Sequence, residues 1–137
     1  MGKLFTYGSL MCDDIMFRVA GDCTVIGKTV LTDYRCLAVR NEEYPAIVPQ
    51  PGFSTLGVLY DHISDEGFTH LDDFEGEMYR RITVWVSLES GTQTDAFAYV
   101  FRPEFKHLLT DREWSFEHFL NSGKAAFIAR YVGFSKI

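Results

Sequence analysis

The segment 71–81, Leu-Asp-Asp-Phe-Glu-Gly-Glu-Met-Tyr-Arg-Arg, combines the end of a helix, a glycine break and the start of a strand. Ser64 is suited to cap this helix, because its hydroxyl can accept a hydrogen bond from an amide of the first turn. Apolar residues then follow at the spacing of one helix face: Phe68, Leu71 and Phe74. Gly76 supplies the expected stop. The pattern predicts a helix that ends at Glu75 and a strand that begins at about Tyr79.

The helix places one carboxyl side chain among its apolar residues. With Phe68 at zero on a helical wheel, Glu75 falls at roughly 340°, inside the apolar stripe, whereas Asp73 falls at about 140° on the solvent side. A carboxyl group that faces an apolar interior without a cation has a raised pKa and suits proton transfer near neutral pH. The alternative is that Glu75 turns to water or pairs with Arg80 or Arg81.

A second motif lies near the N-terminus, where a short strand runs directly into Tyr7, Gly8, Ser9 and Leu10. The apolar residues after Ser9 follow helical spacing, which predicts a helix capped by Ser9. A strand-to-helix turn of this kind leaves amide groups free, and Gly8 allows a close backbone approach. Such a turn can bind a carboxylate or phosphate, although Gly and Ser often serve there only as turn and cap.

The rest of the chain reads mainly as strands. Alternating or β-branched segments occur at 3–7, 23–39, 54–61, 79–88 and 94–101. Residues 41–52 carry three of the four prolines and are expected to form a loop with one short edge segment at 44–48. Helical patterns recur at 114–120 and 124–131. The economical interpretation is one α+β domain, 1–137, with a mixed or barrelled sheet.

Composition narrows the classes of partner. The net charge of -6 and the pI near 5.1 argue against nucleic acid or an anionic membrane as the main partner, but they still allow a small anionic ligand. The sequence contains no apolar run of the kind that predicts an export signal or a membrane span. Three cysteines without CxxC spacing are expected to be reduced, which favours the cytoplasm. The oligomeric state is not indicated.

Two other chemistries receive little support. A Cys/His nucleophile built on Cys12 has no local signature. A metal site at His70 and Asp72 is disfavoured because the two side chains lie about 160° apart on the helix.

Both motifs together resemble the γ-glutamylcyclotransferase-like superfamily, in particular its small bacterial-type γ-glutamylamine cyclotransferase-like members. Residues 3–10, Lys-Leu-Phe-Thr-Tyr-Gly-Ser-Leu, are similar to its N-terminal Tyr-Gly-(Ser/Thr)-Leu loop. Residues 71–81 are similar to its Leu-Asp-x-(Phe/Tyr)-Glu-Gly-x-x-Tyr-x-Arg segment. The connecting segments 44–46, 57–60 and 98–100 agree in order and type. The resemblance covers a core of about residues 2–102 and leaves a C-terminal helical tail of about 103–137.

The resemblance implies a small mixed β-barrel of about five or six strands flanked by short helices, with a cavity between the N-terminal loop and Glu75. It also implies a reaction without metal or cofactor, in which a γ-glutamyl amine or amide cyclises to 5-oxoproline and releases the amine. Glu75 matches the catalytic general acid/base. The substrate-binding loop maps onto Tyr7, Gly8, Ser9 and Leu10. Tyr79 and Tyr99 are further candidates to offer hydroxyls to the cavity, unless they serve only in packing.

The expected chemistry explains why no triad signature is present, since the nucleophile belongs to the substrate. Two alternatives stay open. The first alternative is a non-catalytic module that binds a γ-glutamyl compound or another carboxylate on the same fold. The second is an enzyme that acts on a different small amide or ester. The sequence does not distinguish the leaving amine.

Overall fold

The computed structural model describes residues 1–132, so the last part of the expected tail lies outside it. The strands are β1 (Gly2–Thr6), β2 (Thr24–Val39), β3 (Pro45–Ile63), β4 (Tyr79–Leu88), β5 (Gln93–Phe101) and β6 (Leu109–Glu113). The α-helices are α1 (Asp13–Ala20), α2 (Asp65–Glu75), α3 (Phe116–His118) and α4 (Lys124–Phe127). Short 3₁₀ turns occupy Ser9–Met11 and Pro103–Leu108, and π-helical turns occupy Phe119–Gly123 and Ile128–Val132.

The sheet closes on itself. Its strand order is β3-β1-β5-β4-β2-β6, and β3 also pairs with β2, so the first five strands form a barrel and β6 extends it along β2. β1 and β5 pair in parallel, whereas the other pairings in the described chain are antiparallel. The predicted α+β fold with a small mixed barrel and flanking short helices is therefore confirmed.

Two apolar cores hold the elements together. One fills the barrel with side chains such as Phe5, Leu59 and Ala98, and the other lies between the barrel and the helices. Gly57 is required where β1 and β3 approach closely, because a Cβ atom there would lie 2.7 Å from the Phe5 ring.

Helix α2 forms as its sequence pattern predicts. The Ser64 hydroxyl accepts a hydrogen bond from the Gly67 amide at 3.0 Å, and the helix buries Phe68 and Leu71. Gly76 ends it with a φ of 78°, a conformation that glycine adopts without steric cost. The end of α2 is thereby held in place immediately before β4 begins.

The expected loop at 41–52 was wrong at 49–52, because β3 begins at Pro45 and runs to Ile63, whereas the short strand segment expected at 44–48 is present from Pro45 onward. Pro49 lies opposite Tyr34, beside an irregularity of β2 where Asp33 has a φ of 67°. The Asp33 carboxylate accepts the Gly52 amide at 3.1 Å. Proline is tolerated at such an interruption, where regular ladder hydrogen bonds are not required.

The helix predicted after the N-terminal loop is present as α1, but its predicted cap at Ser9 was wrong. A 3₁₀ turn over Ser9–Met11 comes first, and α1 begins only at Asp13, with Cys12 at its N-cap in an extended conformation. The Tyr60 hydroxyl donates to the Leu10 carbonyl at 2.9 Å. A tertiary hydrogen bond thus occupies a carbonyl that a continuous helix would have used.

The segment after Phe101 was expected to be helical, but its described part also contains the strand β6. β6 pairs with β2, with Val39 opposite Leu109. The helical turns from Phe116 to Val132 then return over the barrel and bury Phe119 and Phe127. None of the helices in the described chain combines the length and the apolar character that a membrane span requires.

Candidate active site

A cavity of about 140 Å³ lies at the end of β1. It is enclosed by the loop after β1, the end of α2, the starts of β3 and β4, the β5 strand and helix α4. Its lining includes the side chains of Tyr7, Ser9, Leu10, Tyr44, Pro45, Phe74, Glu75, Met78, Tyr79, Tyr99 and Phe127. The structure therefore brings Glu75 and the loop of Tyr7, Gly8, Ser9 and Leu10 to one cavity, although they are far apart in sequence.

Glu75 is the last residue of α2, and its side chain is partly buried. Within residues 1–132 its carboxyl group forms neither a hydrogen bond nor an ion pair with another side chain. Burial raises the pKa of Glu75 from 4.5 to about 8, and the nearby Asp72 carboxylate adds to the increase. Arg81, a possible partner, is instead paired with Asp72. A carboxyl group with this pKa exchanges protons readily near neutral pH.

The loop after β1 presents backbone donors to the cavity. Its 3₁₀ turn uses the amides of Met11 and Cys12, whereas the amides of Gly8, Ser9 and Leu10 donate no hydrogen bond to any described residue. A Cβ atom on Gly8 would lie 2.8 Å from two ring carbons of Pro45, so only glycine fits between the loop and β3. The arrangement offers donors to an oxygen-rich ligand group.

Three of the four tyrosines that line the cavity fix its wall, because each of these three hydroxyls donates to an acceptor on β3, β5 or α2. Tyr7 donates to the Tyr99 carbonyl at 2.6 Å, and Tyr79 donates to the Pro45 carbonyl at 2.7 Å. Tyr99 donates to the Asp72 carboxylate at 2.7 Å. Burial raises the pKa of all three phenols, which keeps them neutral. Tyr79 and Tyr99 line the cavity and also fix its wall, and a contact of their hydroxyls with a substrate stays a prediction.

Two features of the site escaped the sequence reasoning. The pairing of Asp72 with Arg81 depends on the register of β4 and β5, which no local pattern reveals. Phe127 reaches the cavity from the C-terminal helical turns and contacts Phe74, with 6.0 Å between ring centroids. Helical spacing in 124–131 indicated an apolar face there but not its partner.

The fold and the site define a class: a small closed mixed barrel with a cavity built around one unpaired carboxyl group and a loop of free amides. Residues 4–116 match the family described as gamma-glutamyl cyclotransferase, AIG2-like, and the chain belongs to that family. The resemblance that the two sequence motifs indicated is thus confirmed.

Known relatives agree with this assignment. AIG2-like protein D of Arabidopsis thaliana is 32% identical over 88 residues, which cover 64% of this chain and 58% of that protein. A solved gamma-glutamyl cyclotransferase has a TM-score of 0.67 at 18% identity, covering 78% of this chain and 75% of the other. An AIG2-like protein from Mus musculus also has a TM-score of 0.67, at 22% identity, covering 84% and 88%. At these identities the two structures show the shared fold.

Proposed function

We propose that the protein cyclises a γ-glutamyl amine or amide to 5-oxoproline and releases the amine, with Glu75 as general acid and base. The observation that carries the proposal is the unpaired Glu75 carboxyl group, with a pKa raised to about 8, in the same cavity as the free amides of Gly8, Ser9 and Leu10. Membership of the cyclotransferase family supports the reaction class.

The reaction needs little beyond proton transfer and a folded substrate. The substrate's α-nitrogen forms a bond to its own γ-carbonyl carbon, and the bond from that carbon to the leaving nitrogen breaks. The α-ammonium group gives up two protons in total, and the leaving nitrogen gains two. Glu75 accepts a proton from the nucleophile and returns one to the leaving nitrogen. Holding the substrate in a bent conformation contributes several kcal/mol, because attack within one molecule has a high effective molarity.

The loop amides have the complementary task. Backbone N–H groups of Gly8, Ser9 and Leu10 hold the substrate's α-carboxylate or the oxyanion that develops at the γ-carbonyl. Their hydrogens are available because no described residue accepts them. The tyrosines, whose hydroxyls already donate to the protein, keep the ring-lined wall rigid around the substrate.

The apolar side chains in the cavity lining favour an apolar leaving group. Phe74, Met78 and Phe127 line the cavity, and no lysine or arginine of the described residues does so. A leaving group with its own carboxylate would therefore lose hydration without gaining a counter-charge. We expect γ-glutamyl amines with apolar substituents to have higher kcat/KM than γ-glutamyl amino acids.

Substitution of Glu75 by glutamine tests the proposal. The amide keeps the side chain's size but cannot transfer the proton, so turnover should fall by at least about 10²-fold. The measurement is mass detection of 5-oxoproline from a panel of γ-glutamyl compounds. Glu77→Gln, two residues later and exposed, is the matched control and should keep full activity. Unchanged turnover in Glu75→Gln would refute the assigned role.

The panel also separates the alternatives. Binding of 5-oxoproline in a thermal-shift assay, with no amine released from any compound, would favour a binding module on the same fold. Amine or alcohol release without 5-oxoproline would favour an enzyme acting on a different amide or ester.

A further inference from the structure

Asp72 lies one helical turn before Glu75 and is bound by residues of two strands. Arg81 donates to both of its oxygens, from Nε to Oδ1 at 3.0 Å and from Nη2 to Oδ2 at 3.2 Å. The Tyr99 hydroxyl donates to Oδ1 at 2.7 Å. Arg81 and Tyr99 are direct cross-strand partners on β4 and β5. A single carboxylate therefore ties the end of α2 to both strands.

Arg81 is itself held in place. Its guanidinium carbon lies 4.7 Å from the ring centroid of Phe68 on α2 and 4.6 Å from that of Phe97 on β5. These cation–π contacts restrict the arginine side chain, and the two-bond geometry restricts the carboxylate. Asp72 is 44% exposed, so the ion pair contributes more to orientation than to stability.

This cluster reaches the cavity through Tyr99. The Tyr99 ring lines the same cavity as Glu75, and its backbone carbonyl accepts the Tyr7 hydroxyl at 2.6 Å. The titratable groups that face Glu75 are Tyr7 after β1, Tyr44 before β3, Tyr79 on β4 and Tyr99 on β5, with Asp72 on α2. Asp72 is the only carboxylate in that set.

We infer that Asp72 is a positioning residue for Glu75: held by Arg81, it orients Tyr99 against the cavity and places a fixed negative charge one helical turn from the Glu75 carboxyl group. A catalytic contribution of Asp72 rests on the proposed function, whereas the effect of Asp72 on the Glu75 carboxyl group can be measured without turnover. The role is distinct from proton transfer, since Asp72 does not line the Glu75 cavity.

Two substitutions in this cluster should shift the pKa of Glu75 in opposite directions. A neighbouring negative charge disfavours the carboxylate form of Glu75, so removal of the Asp72 charge lowers the pKa of Glu75. Removal of the Arg81 charge leaves Asp72 unneutralised and raises that pKa. A purely structural role would not produce opposite signs.

The experiment is a ¹³C NMR titration of glutamate side-chain carboxyl groups, with the Glu75 signal assigned from its loss in Glu75→Gln. Asp72→Asn keeps an oxygen that can accept from Tyr99 but removes the charge, and should lower the Glu75 midpoint by about half a pH unit or more. Arg81→Met should raise the midpoint. Asp73→Asn is the matched control, because it removes a charge from an exposed neighbour, and should leave the midpoint unchanged.

If one of the two variants, Asp72→Asn or Arg81→Met, fails to fold, the other alone still tests the inference. An unchanged midpoint in folded Asp72→Asn, or equal shifts in Asp72→Asn and Asp73→Asn, would overturn the inference, as would a lowered midpoint in Arg81→Met. In the active enzyme, the pH limb of kcat/KM that reports Glu75 should move with the NMR midpoint. Absence of turnover in the wild type, together with the expected midpoints, would refute the proposed function and leave the charge effect on Glu75 established.

Discussion

Glu75 and Asp72 show how two carboxyl groups on one helical turn acquire different properties. Asp72 faces the strands and forms an ion pair with the Arg81 guanidinium group. Glu75 lines the cavity and forms no ion pair with a cationic side chain of the described residues. Had Arg81 reached Glu75 instead, the ion pair would have lowered its pKa and removed its use as an acid. The division of roles depends on which carboxyl group the arginine reaches.

The raised pKa of Glu75 predicts a pH-dependent stability. In the unfolded chain this side chain ionises near pH 4.5, whereas in the folded protein it stays protonated until about pH 8. Folding therefore carries a penalty that is absent below pH 4.5 and grows as the pH rises through this window. Glu75→Gln removes the penalty and should stabilise the protein at pH 8 by on the order of 4 kcal/mol, with little gain at pH 4.5.

Chemical unfolding of the wild type and Glu75→Gln at several pH values between 4.5 and 8 measures this difference. Glu77→Gln, whose side chain is exposed, should differ from the wild type by the same small amount at every pH. A constant difference for Glu75→Gln as well would show that Glu75 ionises as an ordinary surface carboxyl group.

At the scale of elements, the loop after β1 owes its shape to contacts from elsewhere in the chain. The Tyr60 hydroxyl binds the Leu10 carbonyl, and the Pro45 ring packs directly against Gly8. The amides of the loop are thereby kept out of a regular helix, in a segment that lines the cavity.

Gly8→Ala tests this packing. The added methyl group would overlap the Pro45 ring, so either the loop or the start of β3 must move. A shift of Pro45 would also disturb its carbonyl group, which accepts the Tyr79 hydroxyl. We expect kcat/KM to fall about 10-fold or more, because misplaced donors fit the reacting geometry poorly. Steady-state kinetics, with calorimetric binding of 5-oxoproline, measures the loss.

The double variant Gly8→Ala/Pro45→Ala is the control for this interpretation. It removes the ring carbons that the new methyl group would meet while keeping the Pro45 backbone carbonyl as acceptor. Recovery of most of the lost kcat/KM supports steric displacement, and no recovery would argue against it.

At the scale of the whole molecule, the C-terminal helical turns complete the cavity. Phe127 packs edge-on against both Phe74 and Phe119, with ring centroids 6.0 Å and 5.5 Å apart. Phe74 belongs to the same helix as Glu75, so these turns support helix α2 as well as the cavity wall. The barrel without this segment would leave the site open on one side.

Phe127→Ala should therefore affect both stability and function. Loss of a buried phenylalanine ring costs about 3 kcal/mol of unfolding free energy, and the widened cavity should raise KM more than it lowers kcat. Leu120→Ala, at a 44% exposed position of the same segment, should change stability by no more than about 0.5 kcal/mol. Denaturant unfolding and steady-state kinetics measure both effects. Equal effects of the two substitutions would contradict docking of the segment through Phe127.

Local patterns predicted those parts of the fold that local physics controls. The Ser64 cap, the apolar spacing of α2 and the Gly76 stop lie within one stretch of chain, and the structure has all three. Prediction failed where a distant group supplies the missing interaction. The bulge at Asp33 accommodates the prolines of β3, and Tyr60 diverts the Leu10 carbonyl from helix α1.

The sequence by itself indicated the family, most of the strands and helix α2, and it placed Glu75 on the apolar stripe of that helix, because motif and periodicity are properties of neighbouring residues. Only the tertiary structure decided that Arg81 binds Asp72, that the loop amides stay free and that Phe127 closes the cavity. Each of these depends on which distant groups the barrel brings within a few ångströms. The pKa of Glu75 depends on both levels, since the helix sets its direction and the assembled cavity removes its water.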